Sequence, residues 1–411
     1  MITGLRSTSI LLAGLWLASM AGPALSSDRI AELTGVDGLY GELRWRAEHV
    51  SQDGFDNDAY ALPLRLRAGF ASGALHGLSF RVEYDYVFDL GVEDYNAGGG
   101  NTPDRAGYPV IADPPGGDLN QAYVQWVSAQ GKTLRAGRQR IIYDNARFIG
   151  NVGWRQNEQT YDAATLAFPG NGNFGVRAGW LGAVHRIFGD DVPAGENDMN
   201  TWIANLDYTF KGFGKLVGYV YDIDNDDVAA FSTSTYGASW QSDKIAWAND
   251  VHFDYRVEYA HQADAANAPV AFSADYFRVD LALSLAVPTI NVGYESLGGD
   301  QERAGAAFRT PLATLHAFNG WADMFLTTPD AGLTDLYGGV KWPVGPWTLN
   351  VIGHVFQAQS GGKDLGLELD TSLSRSLADD VDLLIKAARF DGDHPAYADT
   401  TKWWVQLRAG F

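Results

Sequence analysis

From residue 39 onward the chain alternates. Leu39, Gly41, Leu43, Trp45 and Ala47 fall on one side of an extended backbone, and Tyr40, Glu42, Arg44, Arg46 and Glu48 on the other. The pattern recurs in Leu62, Leu64, Leu66, Ala68 and Phe70 against Arg65 and Arg67. It recurs again in Leu78, Phe80, Val82, Tyr84, Tyr86 and Phe88 against Arg81, Glu83, Asp85 and Asp89. Later examples are Phe277, Val279, Leu281, Leu283 and Leu285 against Arg278 and Asp280, and Leu365, Leu367, Leu369 and Leu373 against Glu368 and Asp370. Successive side chains of a strand point to opposite faces, so this period places one face in apolar surroundings and the other in polar ones.

The alternation predicts about 18 strands, near 39–50, 61–70, 78–90, 119–128, 133–142, 161–168, 174–184, 201–210, 215–222, 233–241, 245–260, 275–286, 289–297, 334–342, 347–357, 364–374, 381–389 and 402–411. Links between them alternate in length. Short ones include Ala71 to Gly77, Ala129 to Lys132, Pro169 to Asn173, Lys211 to Gly214, Ser242 to Lys244 and Pro343 to Pro346. Long ones include Gly91 to Asp118, Tyr143 to Thr160, His185 to Asn200, His261 to Ala274 and Leu297 to Thr334. This separates a transmembrane antiparallel β-barrel, with short periplasmic turns and long extracellular loops, from a soluble sandwich. Closure removes sheet edges and satisfies every backbone group in lipid. The last strand sets Trp403, Val405, Leu407, Ala409 and Phe411 on one face. Its terminal aromatic looks like the signal read by the outer-membrane assembly machinery.

Composition narrows the setting. Residues 1–26 read as a secretory signal peptide: Arg6, an apolar run from Ile10 to Gly22, then Pro23 and the small-x-small site Ala24-Leu25-Ser26. Residues 27–411 then form a single barrel domain, with no apolar run near the roughly 20 residues of a membrane helix. The absence of cysteine fits export. The formal charge of −20, or −21 once Arg6 is removed, speaks against nucleic acid as a partner.

Two stretches resemble the alginate export family of outer-membrane proteins. The first is Leu134-Arg135-Ala136-Gly137-Arg138-Gln139-Arg140, then Tyr143-Asp144-Asn145-Ala146-Arg147-Phe148-Ile149-Gly150, Trp154 and Tyr161-Asp162. Asp144 follows Tyr143 directly, a departure of at least one residue from the family's Tyr-Gly-Asp. The second runs Thr314-Leu315-His316-Ala317-Phe318-Asn319-Gly320-Trp321-Ala322-Asp323-Met324-Phe325 and is the more specific. The resemblance implies a monomeric 18-stranded barrel in the outer membrane, among lipid and lipopolysaccharide, with passive passage of a polymer or small solute. It does not carry the substrate across, because membership is broader than alginate transport.

The expected lumen positions for substrate are Arg44, Arg46, Arg65, Arg67, Arg81, Arg135, Arg138, Gln139, Arg147, Arg177 and Arg408. A polyanion needs a net positive wall, yet the acidic residues on the same faces are more numerous. Lumen charges can instead pair across strands, as Arg256 with Glu258 and Arg278 with Asp280 would. The adjacent Arg44, Arg46, Arg65 and Arg67 are the best candidates for an unpaired basic patch. The segment Leu297 to Thr334 is too long for a plain surface loop. Its His316, Phe318, Trp321 and Asp323 are expected either to constrict the pore or to pack on the rim.

No enzyme is expected: Gly-x-Ser-x-Gly and His-Glu-x-x-His are both absent. The eight histidines show no metal-ligand spacing, so no metal or other cofactor is expected. Asp222, Asp224 and Asp226 echo a calcium loop, but Asp227 and Thr233 stand where Gly and Glu belong, which favours a solvated acidic loop. The sequence therefore points to a channel or porin of the alginate export type that passes an anionic or polar solute. The alternative is a non-conducting structural or adhesive barrel.

Overall fold

A computed structural model describes residues 36–170 and 172–411. The expected signal peptide lies outside them. The strands are β1 (Leu39–Gln52), β2 in two pieces (Ala59–Ala61 and Leu64–Ala71), β3 (Leu78–Phe88), β4 (Gly116–Val127), β5 (Thr133–Gln139) and β6 (Thr160–Phe168). Next come β7 (Phe174–His185), β8 (Glu196–Phe210), β9 (Gly214–Ile223), β10 in two pieces (Thr233–Ser242 and Ile245–Ala248), β11 (Val251–Asp264) and β12 (Ser273–Ser284). The last are β13 (Thr289–Leu297), β14 (Leu333–Val344), β15 (Trp347–Gln357), β16 (Asp364–Ala378), β17 (Val381–Gly392) and β18 (Thr400–Gly410). Each pairs antiparallel with its sequence neighbours. β18 returns to β1 from Gly410 opposite Glu42 to Thr400 opposite Gln52, which closes the barrel at 18 strands.

Two interruptions have chemical causes. Pro63 has no N–H to give to a ladder, and it splits β2 while its carbonyl accepts from Arg46 N at 3.0 Å. The expected turn at Ser242 to Lys244 is instead an irregularity inside β10. The chain reverses two residues after Ala248, which pairs with Val251, at Asn249-Asp250. Asp250 takes φ +59°, a conformation Asp tolerates in a tight hairpin. β8 also begins five residues earlier than expected. The polar run from Glu196 to Asn200 is a poor strand former, but it pairs with the end of β7 beyond a bulge, with His185 opposite Glu196.

The two faces separate as the alternation requires. Leu43 is 40% exposed and Tyr84 48%, part of an apolar outer belt. Trp126, Phe210, Trp247 and Trp342 mark the short-turn end of that belt, as an interfacial girdle does. The inner face carries Arg46 at 0% exposure and Arg65 at 2%. The interior is not an empty tube. Segments 89–115, 140–159 and 298–332 fold into it. Phe148 and Phe308 pack there against Tyr276 of β12, with ring centroids 5.2 and 5.4 Å from it. Phe325 packs against Phe356 of β15 at 4.6 Å.

Candidate functional site

The first family-like stretch and the long segment 298–332 meet inside the barrel. Gly150 N donates to Leu312 O at 2.8 Å, and Thr314 N to Ala146 O at 2.9 Å. Gly150 is required there, since a Cβ would run into Thr314 Oγ1. The two segments thus form one plug.

The second stretch fastens that plug to the wall. Asn319 and Gly320 both take positive φ, and a Cβ on Gly320 would strike the Glu368 carboxylate. This turn aims Trp321 N at Asp370 Oδ2 (3.1 Å) and Ala322 N at Glu368 Oε1 (2.7 Å), both on β16. Asn319 accepts from Arg147 Nη2 at 3.0 Å and donates to Glu295 of β13 at 2.7 Å. The Phe318 ring lies under Arg147 and Arg278 at 4.8 and 5.2 Å. The Trp321 ring lies 3.7 Å from the Lys386 ammonium, a cation–π arrangement.

Asp323 is the hub. It pairs with Lys402 of β18 at 2.8 Å, with Arg155 at 3.3 Å and with His316 Nδ1 at 2.6 Å. His316 Nε2 stands 2.7 Å from Lys386 Nζ. An ammonium can only donate, so Nε2 accepts and the proton sits on Nδ1, which donates to Asp323. The ring stacks on Trp154 at 4.8 Å. Burial pushes the His316 pKa down to about 3, while Asp323 is held well below the usual carboxylate range because the neighbouring His316, Lys402 and Arg155 outweigh its own burial.

That depression has a sign. A released His316 takes up a proton near its ordinary value of 6.5, but the docked ring does not. Docking is therefore strongest above pH 6.5 and weakens as pH falls from 6.5 toward 3, by about 3 kcal/mol at pH 4.5. Single-channel recordings from pH 7.5 to 4.5 should show more frequent open events as pH falls. His316→Gln, whose amide can both donate to Asp323 and accept from Lys386, should lose that response.

Most of the expected lumen arginines face inward, but Arg138 falls on the outer face with Leu134 and Ala136, and Arg147 comes from an inward-folded segment rather than a strand. The expected unpaired patch is not found. Arg46 pairs with Asp113 at 3.2 Å, Arg65 with Glu42, and Arg67 with both Asp85 oxygens (2.7 and 2.6 Å) and with Glu158 at 2.5 Å. Arg44 donates to Gln156 Oε1 and Gly153 O, each at 2.9 Å. Asp113, Gln156 and Glu158 arrive from inward-folded segments, which strand periodicity does not reveal. Arg138 grips Asp162 (3.0 and 3.2 Å), Arg147 grips Glu295 (2.7 Å), Arg177 meets Asp144 (2.9 Å) and Arg408 meets Glu42 (2.6 Å). Gln139 donates to Ala163 O at 2.9 Å and Arg135 to Gln125 at 2.6 Å, while Arg81 lies over the Tyr40 ring at 5.1 Å. Arg256 and Arg278 pair with Glu258 and Asp280 as their spacing indicated.

Above the plug, at the long-loop end, lies a cavity of about 450 Å³. Val50, Phe55, Val110, Phe188 and Leu326 give it apolar walls, and Arg155, Arg186 and Lys402 bring positive charge. Arg155 and Lys402 are already committed to Asp323. Arg186 has no ion pair among the described residues. Its guanidinium lies over Phe231 and Phe188 at 5.4 and 5.9 Å, and burial lowers its pKa. The sequence reading missed Arg186 because it follows β7 directly, outside any alternating segment.

The sequence model of the family described as alginate export matches residues 106–310, which includes the first stretch and stops just short of the second. Among solved structures, Acinetobacter baumannii OccAB2 aligns at 15% identity with a TM-score of 0.66. Pseudomonas aeruginosa OpdL aligns at 14% identity with a TM-score of 0.68. P. aeruginosa OccK2 (OpdF) in complex with glucuronate aligns at 12% identity with a TM-score of 0.66. In each case 91% of this chain and 98% of the other is covered, a likeness of fold. No curated protein matches the sequence. Family match and closed barrel agree: this chain is an outer-membrane, porin-like β-barrel of the alginate export family.

Proposed function

We propose that the barrel is a gated channel for a small anionic solute that enters from the long-loop side, with segment 298–332 as the gate. The observation that carries this is Arg186: a half-buried guanidinium with no ion pair among the described residues, beside an apolar-walled cavity. An arginine fork matches a carboxylate, and the apolar walls suit a compact organic acid better than a long polyuronate. The lumen beneath reinforces this preference. Its arginines are spent on Asp113, Asp85, Glu158 and Glu295, so no continuous positive track lines the route. OccK2 was solved with glucuronate, a sugar acid of the expected size. The chain acts as a monomer, β18 with Phe411 serves as its signal to the assembly machinery, and transport involves no covalent step.

Planar-bilayer recordings with glucuronate as the probe test this reading. Glucuronate should block or carry current in the wild-type protein. Arg186→Ala should weaken that effect about tenfold, the equivalent of ~1.4 kcal/mol, within the range for one charged hydrogen bond. An unchanged response in Arg186→Ala sinks the assignment. The complete absence of current, in the wild type and in a plug-deleted variant alike, favours the adhesive barrel.

A further inference from the structure

The junction of β7 and β8 gathers ligand atoms that the transport reading does not use. We propose that His185, Asp190 and Glu196 form a Zn²⁺ site at the long-loop end of the barrel. His185 Nδ1 lies 3.7 Å from Asp190 Oδ1 and 3.7 Å from Glu196 Oε2. All three ligand atoms fall within 4.8 Å of one another, the one such gathering among the described residues. The Asp222, Asp224 and Asp226 run forms none.

The tautomer logic points to a cation. His185 Nε2 is 3.0 Å from Asp162 Oδ2, a carboxylate that cannot donate when ionised. In the neutral ring the proton sits on Nε2, which leaves the Nδ1 lone pair facing two more carboxylate oxygens. His185 is 1% exposed, and its Nδ1 is buried without a hydrogen-bond partner. Three acceptors therefore converge with no donor between them, at separations too long for hydrogen bonds. The two separations from His185 are slightly wider than the roughly 3.3 Å between ligands on a tetrahedral zinc with bonds near 2.0–2.2 Å. A small inward movement completes three of four positions, with water as the fourth.

The surroundings are built for this. Asp162 orients the ring, as the second carboxylate of a carboxylate–histidine–metal unit does, and is itself gripped by Arg138. Arg186 N donates to Gly195 O at 2.6 Å, which closes the loop and brings Asp190 across from Glu196. Both acids are about half exposed and open to an arriving ion. Asp118 lies close enough to feel the charge of Asp190, and its Oδ1 is also buried without a partner. One imidazole and two carboxylates suit zinc, whereas calcium prefers six to eight oxygens. Arg186 and Phe188, between the ligands in sequence, line the cavity above the plug. A bound ion would therefore clamp the base of that wall.

Calorimetric titration of the purified full chain in detergent with zinc chloride tests the site. One ion per chain is expected, with affinity at least tenfold weaker in His185→Ala and in Glu196→Gln and unchanged in Asp224→Asn. Binding that survives His185→Ala, or no saturable binding to the wild type, overturns the proposal. X-ray absorption at the zinc edge of the loaded wild-type protein keeps the test independent of variant folding: imidazole scattering supports the site, and an all-oxygen shell refutes it. Neither measurement depends on whether the barrel conducts.

Discussion

Excision of Gly305 to Pro329 is expected to raise single-channel conductance several-fold. The excised segment carries Phe308, Leu312, His316, Asn319, Ala322 and Phe325, all buried within the barrel. A closed wall of 18 strands is wide enough for an aqueous channel once unfilled. The cut should leave the wall intact. Asp300 N donates to Asp330 O at 2.7 Å, and Leu297 faces Leu333 in the ladder, so the ends of the segment already meet. Lys386, Lys402, Glu368 and Asp370 lose their plug partners but gain water, which spares them the cost of an unpaired buried charge. Unchanged conductance would show that the segment does not limit the path and would remove the gate from the proposed function.

The second large effect is expected from Asp323→Ala. Asp323 neutralises Lys402 and Arg155 and accepts from His316, all in buried surroundings. Removing one partner of such a cluster leaves charge uncompensated, at a cost of about 3–5 kcal/mol. The strand ladder is not touched, so the loss should appear as plug release rather than barrel unfolding. Amide hydrogen exchange across 298–332 should accelerate while exchange in β1 and β18 stays slow. Combining Asp323→Ala with Lys402→Met removes one stranded charge and should restore part of the protection. If exchange in 298–332 is unaffected by Asp323→Ala, the ion cluster does not hold the plug.

The wall of this protein is legible in its sequence because one face of each strand meets an apolar medium and the other a polar one. Leu43, Leu66 and Tyr84 turn outward and Arg44, Arg65 and Asp85 inward, each from local alternation alone. Strand ends were read less well where polar residues extend a ladder, as from Glu196 to Asn200, or cross an irregularity, as from Ser242 to Lys244. The interior was the harder part. Arg256 and Glu258 are two residues apart and their pairing could be read from spacing. Arg67 and Glu158, or Arg155 and Asp323, meet only because long segments fold back into the lumen. Nothing periodic marks such encounters. The family-like stretch around His316 signalled that the long segment mattered, while His185, Asp190 and Glu196 gave no signal, since their spacing spans a tight loop rather than a helix face.

The pairing of β18 with β1 also sets an order of maturation. Lys402, which fixes Asp323, and Gln406, which accepts from Arg46 Nη2 at 2.7 Å, both lie on the last strand to be made. They join residues separated by as many as 360 positions, the kind of non-local contact that forms late and slowly. An incomplete chain therefore has neither a shut seam nor the Lys402 tie to its plug. Completion of the final strand supplies both at once, so a barrel that closes correctly closes with that tie already made.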